Sequence, residues 1–431
     1  MKKVLVILLA LTVSAALFAG GGGQAAPSGG GAAPAQVKEI RVLLANHPYG
    51  DLLKPMLPEF ERQSGIRINM EQLNETQLTQ KLTTEFASGA ASVDVFMTRP
   101  LQEALLFLKN GWYAPLNSYD FSDYPPAAVD LGRRNGNPYI VPLINEWHVV
   151  YYRKDLLEKA GVKVPTTLAE LEEAAKVLNT GGISGIALRG AASPAVTQLS
   201  SFLYNYGTNF LKDNVAIFDN PDAIEAVRVY GRLNGAYGPP GVESMSWDQL
   251  MPVFQAGRIA MFVDASTFLG QLVDPSQSTV TADQVGVAPF PAGPKGNSCY
   301  LAVAWAMGVS SKTRDMDSAM KFLNWATDKE KATQGMDRGI AVARSSVWND
   351  PAITSKLNPG LVASRDYAAK NGIPYDRPVM TSVVQARDYI GELITESILT
   401  KGTSTRLPAL ATEKVNQVND LLKADGEYGS N

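Results

Sequence analysis

The chain has 431 residues, of which 45% are hydrophobic and 19% are charged, which is the composition of an ordinary globular protein. Its 39 basic and 42 acidic residues give a net charge of -3, so bulk charge does not favour a nucleic-acid partner. A single cysteine, Cys299, excludes an internal disulfide and a Cys-rich zinc site. The length predicts two domains, each with ample core, and no cofactor is expected.

The first 36 residues are expected to lie outside the folded region. Residues 1–19 have a positive start, an apolar run and small residues at the end, which is the order of a secretory signal peptide. Gly21 stands where a lipoprotein would carry its cysteine, so lipid anchoring by that route is excluded. Residues 20–36 are almost wholly Gly, Ala, Pro, Ser and Gln, which predicts a flexible linker. The folded protein is therefore expected in the periplasm or another extracytoplasmic space; an N-terminal membrane anchor is the alternative.

The folded region opens with strands that alternate with helices. Apolar strands are predicted at 40–45, 66–73 and 93–98, with amphipathic helices between them. Strands joined by helices of this length run parallel, which predicts an open α/β sheet. Ligands of such sheets bind beyond the carboxyl ends of the strands. The polar residues at or just after those ends are Gln72, Asn46, His47, Asn74, Thr98 and Arg99.

A second region is predicted to begin near Glu146. Thr167 and Glu170 form a capping box for a helix over 168–178. Further helices are predicted at 196–206, 221–233 and 247–255, strands at 149–153, 185–188, 258–264, 285–290 and 300–309, and mainly helical structure from 317 onward. We expect the strand 258–264 to return to the first sheet. This predicts two discontinuous lobes, one formed by 37–145 with 264–311 and the other by 146–263 with 312–431.

Motifs of common enzyme classes are absent from the sequence. No GxGxxG follows the first strand, and neither GxxxxGK[ST] nor GxSxG occurs, which argues against a nucleotide site and a serine hydrolase. His47 and His148 are too few and too separated to indicate a metal site, and each is interpreted as a polar residue at a strand end. A secreted carbohydrate-active enzyme stays open, because its two carboxylates are placed by the fold rather than by spacing. A structural envelope protein is the other alternative.

The tryptophans suggest a carbohydrate ligand. Sugars and polyols present C–H faces to aromatic rings, while their hydroxyls need charged or amide partners. Trp147, Trp247 and Trp305 stand beside predicted strand ends or turns, so they are candidates for contact with a solute. Trp325 lies in a helical stretch beside Phe322 and is interpreted as a core residue.

Six segments in this order carry a resemblance to a known family. They are PEFERQSGIRI, TTEFASGAASVDVF, VVYYRKDLLEKAGVKVPTTLAELEEAAK, FQAGRIAMFVDAS, VGVAPFPAGPKG and AMGVSSKTRDMDSAMKFLNWATDKE. The chain from Ile40 onward resembles the family-one extracellular solute-binding proteins, the secreted receptors of sugar-importing ABC transporters. The resemblance implies two α/β lobes joined by a few crossing strands, a solute bound between lobes that close like a hinge, and delivery to a membrane permease. It implies binding without catalysis, and we expect a monomer.

Within that family, the chain is most similar to the mannitol- and sorbitol-type polyol binders. The likeness implies ligand contacts by Glu146 before the YRxDL strand, Asp264 in the AMxxDA segment, Trp305 in the LxAWA strand and Arg344 before a Ser/Thr-aromatic turn. Asn145 departs from the polyol-binder pattern, as does Trp147, so a small sugar and a polyol both stay open. The full set of predicted ligand-binding residues is Glu146, Asp264, Trp305, Arg344, Trp147, Trp247, Arg99, Asn74 and Asn46.

Overall fold

The computed structural model describes residues 38–90 and 92–430. The predicted signal peptide and linker lie outside these residues. The strands are β1 (Lys38–Ala45), β2 (Ile66–Leu73), β3 (Val95–Thr98), β4 (Arg133–Arg134), β5 (Asn137–Pro138), β6 (Ile140–Arg153), β7 (Leu211–Lys212), β8 (Val215–Ala216), β9 (Met261–Ala265), β10 (Val285–Pro289), β11 (Cys299–Val309) and β12 (Gly372–Ile373).

The helices lie between these strands and make up most of the chain after β11. They are α1 (Pro48–Leu53), α2 (Leu57–Ser64), α3 (Glu75–Ala87), α4 (Leu105–Lys109), α5 (Pro126–Asp130), α6 (Lys154–Ala160), α7 (Leu168–Leu178), α8 (Ala192–Asn205), α9 (Pro221–Tyr237), α10 (Trp247–Gln255), α11 (Leu269–Leu272), α12 (Met316–Ala326), α13 (Lys329–Asp337), α14 (Ser345–Trp348), α15 (Pro351–Thr354), α16 (Pro359–Asn371), α17 (Val383–Leu399) and α18 (Leu407–Asp425). Among the described residues, no helix is both long enough and apolar enough to cross a membrane.

The first part of the main sheet is built from β1, β2 and β3. β1 pairs with β2 and β3 in parallel, which confirms the parallel arrangement predicted for these strands. β11 then runs antiparallel to β3, and the first half of β6 runs antiparallel to β11. Helix α3 packs on β1 and β2. The carboxyl ends of β1, β2 and β3 therefore meet at one edge, as the sequence predicts.

The second half of β6 carries a different set of partners. β9 and β10 pair with it on opposite edges, both antiparallel, over His148–Tyr152 and Val149–Arg153 respectively. β9 thus joins the eight-stranded sheet that contains β1, β2 and β3, and it does so through β6. The β6 strand has 14 residues, nearly three times the predicted length, and its second half offers two free edges that β9 and β10 fill.

The helices after β11 pack beside both parts of the sheet, and the predicted lobe boundaries stay a prediction. α12 packs against β1, β3 and β11, and α13 packs against α1, so these helices join the first part of the sheet. α17 packs against α8, α9 and α18, beside the second part. The segment after residue 312 is thus shared between the two parts, because α12 and α13 cover a face of the first sheet that would otherwise be bare.

Local signals in the sequence set several of these boundaries. Gly65 ends α2 in the left-handed conformation at φ 70°, which glycine adopts without steric cost. Thr167 and Glu170 form the predicted capping box, and α7 has the predicted bounds. The predicted strand 185–188 is reduced to isolated bridges, which include the parallel pairing of Ala187 with Phe262. The amphipathic helices were therefore the more reliable prediction.

Candidate functional site

A small cavity of about 30 Å³ lies where the two parts of the sheet meet. Its walls come from the ends of β1 and β3, the middle of β6 and of β11, the first residues of α3 and α10, α8 with the loop before it, the turn after β9, and the segment before α17. The lining residues are His47, Glu75, Arg99, Glu146, Arg189, Thr197, Trp247, Phe268, Ala304, Trp305, Asp376 and Arg377. Three carboxylates and three guanidinium groups thus converge with aromatic rings around one space.

The first wall is an ion pair between α3 and the end of β3. Arg99 donates from Nη1 to Glu75 Oε2 at 3.0 Å and from Nη2 to Thr79 Oγ1 at 2.6 Å, and its Nε lies 3.4 Å from Glu103 Oε2. Trp247, the first residue of α10, donates from Nε1 to Glu75 Oε1 at 3.3 Å. This last bond joins a helix beside the first part of the sheet to one beside the second part.

The second wall is a fully buried ion pair. Arg189 donates to both oxygens of Asp264, from Nε at 3.0 Å and from Nη2 at 2.6 Å. Gln198 adds a bond at 3.0 Å and the amide of Ala265 one at 2.7 Å, so the Asp264 carboxylate is fully engaged. Asp264 is 0% exposed and does not line the cavity, whereas Arg189 does. In this structure the bonds of Asp264 hold Arg189 in place, and its contact with the solute stays a prediction.

The third wall comes from the chain before α17. Arg377 donates from Nε to Asp376 Oδ1 at 2.7 Å and from Nη1 to Gln102 Oε1 at 2.6 Å. Arg387 donates to the same Gln102 oxygen at 2.6 Å. A neutral amide thus accepts from two guanidinium groups, which fixes both at the edge of the cavity without adding charge.

Charge interactions keep two of the buried acidic groups ionised, Glu75 and Asp376. Burial alone raises the pKa of Glu75, but Arg99 and Arg189 outweigh it and hold that pKa below its usual value. Burial likewise opposes ionisation of Asp376, and Arg377 outweighs it, so the pKa of Asp376 is also lowered. Burial favours the neutral form of Arg189, yet Asp264 raises its pKa. The cavity therefore has charged but mutually compensated walls.

The fourth wall carries aromatic faces and two groups with few partners. Trp305 is 4% exposed, with the Arg99 guanidinium carbon 5.5 Å and the His47 ring 5.8 Å from its ring centre. Trp247 stacks on Phe268 at 4.9 Å. Within the described residues, the one ion-pair contact of Glu146 is with His47, whose Nε2 lies 3.8 Å from Glu146 Oε1.

Four of the nine predicted residues line the cavity, namely Glu146, Trp305, Trp247 and Arg99. Trp147 does not, because it is 1% exposed, donates to Ser364 at 2.9 Å and packs edge-on against Trp348 in the core. Asn74 is exposed and caps α3 by accepting from the Gln77 amide at 2.9 Å, and Asn46 is exposed at the end of β1. These three residues therefore lie outside the cavity, and their contacts with the solute stay predictions.

Arg344 also lies outside the cavity. It donates from Nη1 to Asp123 at 2.8 Å and from Nε to the Thr327 carbonyl at 2.7 Å, and its guanidinium carbon lies 4.9 Å from the ring centre of Tyr124. These bonds join the loop between α13 and α14 to the end of α12 and to the segment around residue 123. Arg344 thus has a structural role here, and its contact with the solute stays a prediction.

Sequence reasoning missed eight lining residues, which are His47, Glu75, Arg189, Thr197, Phe268, Ala304, Asp376 and Arg377. His47 carried a signal, since it follows β1 at the edge where ligands bind, but it was interpreted as a plain polar residue. Arg189 and Arg377 stand in loops with no motif, and only the topology brings them to the cavity. His148, the other histidine, is buried between the rings of Phe290 and Tyr300, and burial lowers its pKa to about 3.

A wider groove of about 770 Å³ is lined by 269–277, 336–339 and neighbouring residues. Its walls hold no comparable set of buried, paired guanidinium groups. Within the described residues no group of His, Cys, Asp and Glu could hold a metal ion. The small cavity is thus the better candidate for a polar solute.

Comparison with known proteins gives a consistent assignment. The family model described as bacterial extracellular solute-binding protein matches residues 45–333. The mannitol-binding protein of Pseudomonas aeruginosa is 30% identical over 293 residues, which are 65% of this chain and 67% of that protein. The erythritol/L-threitol-binding protein of Mycolicibacterium smegmatis is 26% identical over 343 residues, which are 72% of this chain and 71% of that protein.

A solved structure shows the same fold. The ABC transporter solute-binding protein of Agrobacterium vitis, with bound D-mannitol, matches with a TM-score of 0.79 at 24% identity, over 90% of this chain and 99% of that one. This confirms the predicted two-lobed fold of a periplasmic binding protein. The family consists of solute binders and not of enzymes, as the sequence predicts. Because the family model matches more than half of its length, the chain belongs to the bacterial extracellular solute-binding proteins.

Proposed function

We propose that this protein binds a sugar alcohol or a small sugar in the cavity between its two lobes and delivers it to an ABC importer. One observation carries the proposal: the carboxylate and guanidinium groups of the cavity neutralise one another, and aromatic rings line the same space. A polyhydroxylated solute is neutral, yet each hydroxyl needs a donor or an acceptor. Relatives named for mannitol and erythritol binding support a polyol.

The walls offer enough interaction energy for such a solute. A hydrogen bond to a charged group contributes about 1.5–3 kcal/mol, and an aromatic face adds about 1 kcal/mol. Micromolar affinity needs about 8 kcal/mol. Three charge-assisted bonds from Arg189, Arg377 and Glu146, with the face of Trp305, supply most of that amount.

The size of the cavity supports a binding step that includes opening. A volume of about 30 Å³ holds one or two water molecules, so a hexitol enters only if the walls separate. We propose that the lobes move about β6 and β11, which join the first part of the sheet to the second. The contact between Trp247 and Glu75 then breaks on opening and forms again on closing. A compact, narrow cavity favours a linear polyol over an oligosaccharide.

The remaining features of the proposal follow from the family. We propose that the protein acts as a monomer, that it is secreted through cleavage of the 1–19 segment, and that its partners are the permease subunits of the importer. No side chain is assigned to the permease contact.

Titration calorimetry of the purified protein against D-mannitol, ribitol, erythritol, D-glucose and maltose tests the function. We expect at least one polyol or monosaccharide to bind with micromolar or better affinity and to raise the melting temperature by mass action. Failure of the whole panel to bind contradicts the proposal. Nuclear magnetic resonance of the solute after prolonged incubation separates a binder from an enzyme, because a binder returns the solute unchanged.

A further inference from the structure

The side chain of His47 has one defined protonation pattern in its buried position. It is 4% exposed, and its Nδ1 accepts from the backbone amide of Tyr49 at 3.2 Å, as the cap of α1. A neutral imidazole has one N–H, so a ring whose Nδ1 accepts carries its hydrogen on Nε2. His47 therefore presents a fixed N–H donor toward the cavity.

That donor has no hydrogen-bond partner within the described residues. The nearest carboxylate oxygen is Glu146 Oε1 at 3.8 Å, which is beyond hydrogen-bond distance. An unpaired buried donor is costly, and a carboxylate with no cation beside it is an acceptor without a donor. The Nε2–H group of His47 and the carboxylate of Glu146 are therefore neighbours that are not hydrogen-bonded to each other.

We propose that His47 and Glu146 bind one hydroxyl of the solute between them. This inference rests on the proposed function, and it identifies the two residues that select for an alcohol group. The hydroxyl oxygen accepts from His47 Nε2–H, and its hydrogen is donated to Glu146, each at about 2.8 Å. An ammonium group cannot accept from His47, and a carboxylate cannot donate to Glu146. Only a group that does both satisfies the pair, so the site distinguishes an alcohol from a charged substituent of the same size.

Two variants of His47 separate its capping role from its ligand role. In His47→Asn the amide oxygen can replace Nδ1 as the cap, but no donor reaches the position of Nε2. In His47→Gln the amide nitrogen reaches that position, but the cap of α1 is weakened. We expect D-mannitol affinity in the order parent, Gln variant, Asn variant, with the Asn variant at least tenfold weaker than the parent. The melting temperatures should follow a different order, with the Gln variant lowest.

A double-variant cycle with Glu146→Gln gives the second readout. Because both side chains act on one hydroxyl, the double variant His47→Asn/Glu146→Gln should lose less affinity than the product of the two single losses. Asn220→Ala, which removes the cap of α9 far from the cavity, should lower the melting temperature and leave affinity unchanged. The inference is overturned by an Asn variant within twofold of the parent, or by fully multiplicative losses. If the parent binds no member of the polyol and sugar panel, the proposed function fails and this inference fails with it.

Discussion

Two arginine–aspartate pairs in this molecule differ in geometry and in surroundings, since Arg189 donates to both oxygens of Asp264 and Arg344 to one oxygen of Asp123. Arg189 and Asp264 form a pair whose carboxylate is 0% exposed, and the guanidinium reaches the cavity. Arg344 and Asp123 form a pair at 2.8 Å whose side chains are 16% and 23% exposed, away from the cavity. The comparison shows that residue type and pairing alone do not mark a binding site. What distinguishes the two pairs is whether the guanidinium group reaches the cavity.

The largest expected effect is at the buried pair. Asp264→Asn leaves the Arg189 charge buried without its partner, which costs about 3–5 kcal/mol of the free energy of unfolding. It also frees Arg189 to move from the cavity wall, so affinity for the solute should fall at least tenfold. Urea unfolding and calorimetry measure the two effects.

The matched control is Asp123→Asn, which makes the same chemical change at the more exposed pair. Asp123→Asn should lower the free energy of unfolding clearly less than Asp264→Asn does. Its effect on the affinity for the solute should be negligible. Equal losses of stability at the two positions would contradict the distinction between the pairs.

The second prediction concerns Arg344, which the sequence assigned to the solute. Arg344→Ala removes bonds to Asp123 and the Thr327 carbonyl, so it should cost about 1–3 kcal/mol of the free energy of unfolding. Affinity of the folded variant should stay within about twofold of the parent, because the side chain is outside the cavity. A tenfold loss of affinity in a folded variant would restore Arg344 to the site.

The third prediction concerns how the stabilisation by the more exposed pair, Arg344 and Asp123, depends on pH. Burial alone raises the pKa of Asp123, but its bonds with Arg344 and Ser346 outweigh burial and lower it. A carboxyl whose pKa is depressed by folding stabilises the protein above its unfolded pKa of about 3.9, and that stabilisation is lost as the pH falls through the folded value. The stability difference between the parent and Asp123→Asn should therefore be constant from pH 7 to about 5 and shrink below about pH 4. Denaturant unfolding across this range measures it, and a difference that grows on acidification would refute the assignment.

The smallest expected effect is at the contact across the cavity. Trp247→Phe keeps the stacking on Phe268 but removes the Nε1 bond to Glu75. Affinity should weaken by about 0.5–1.5 kcal/mol, while the melting temperature without solute changes little. Calorimetry detects this difference, and small-angle scattering with and without D-mannitol reports whether the closed form is less populated. Unchanged affinity would mean that this bond does not contribute to closure.

The sequence allowed most of the fold to be predicted, but only part of the site. Periodicity, caps and glycines locate α7, α10 and β1–β3, because these signals are local. The pairing of β9 and β10 with β6 could not be predicted, since it depends on which edges are free in three dimensions. The same limit applies to the site. Trp305 and Glu146 were found through motif likeness, whereas Arg189 and Arg377 stand in loops whose approach to the cavity is decided by long-range topology.

Two of the predicted contacts show that one side-chain type can serve either the protein or a solute. Asp264 was predicted to touch the solute through its likeness to the family's AMxxDA segment, and Trp147 because an aromatic ring suits a sugar. Both are instead satisfied by protein partners, Asp264 by Arg189 and Trp147 by Ser364. A buried polar group needs partners wherever it lies, so its presence near a strand end does not tell whether the partner is a solute or the protein itself.

The pairing of β6 also has a consequence for how the chain is made. The second half of this strand leaves the ribosome well before β9 and β10, which fill its two edges. Until they arrive, a long apolar strand has both rows of backbone donors and acceptors unpaired, a state that invites association with other chains. A fragment that ends before Met261 would keep these edges bare. The protein is therefore expected to fold only once nearly two thirds of its described length is available, and truncated forms should aggregate instead of yielding an isolated lobe.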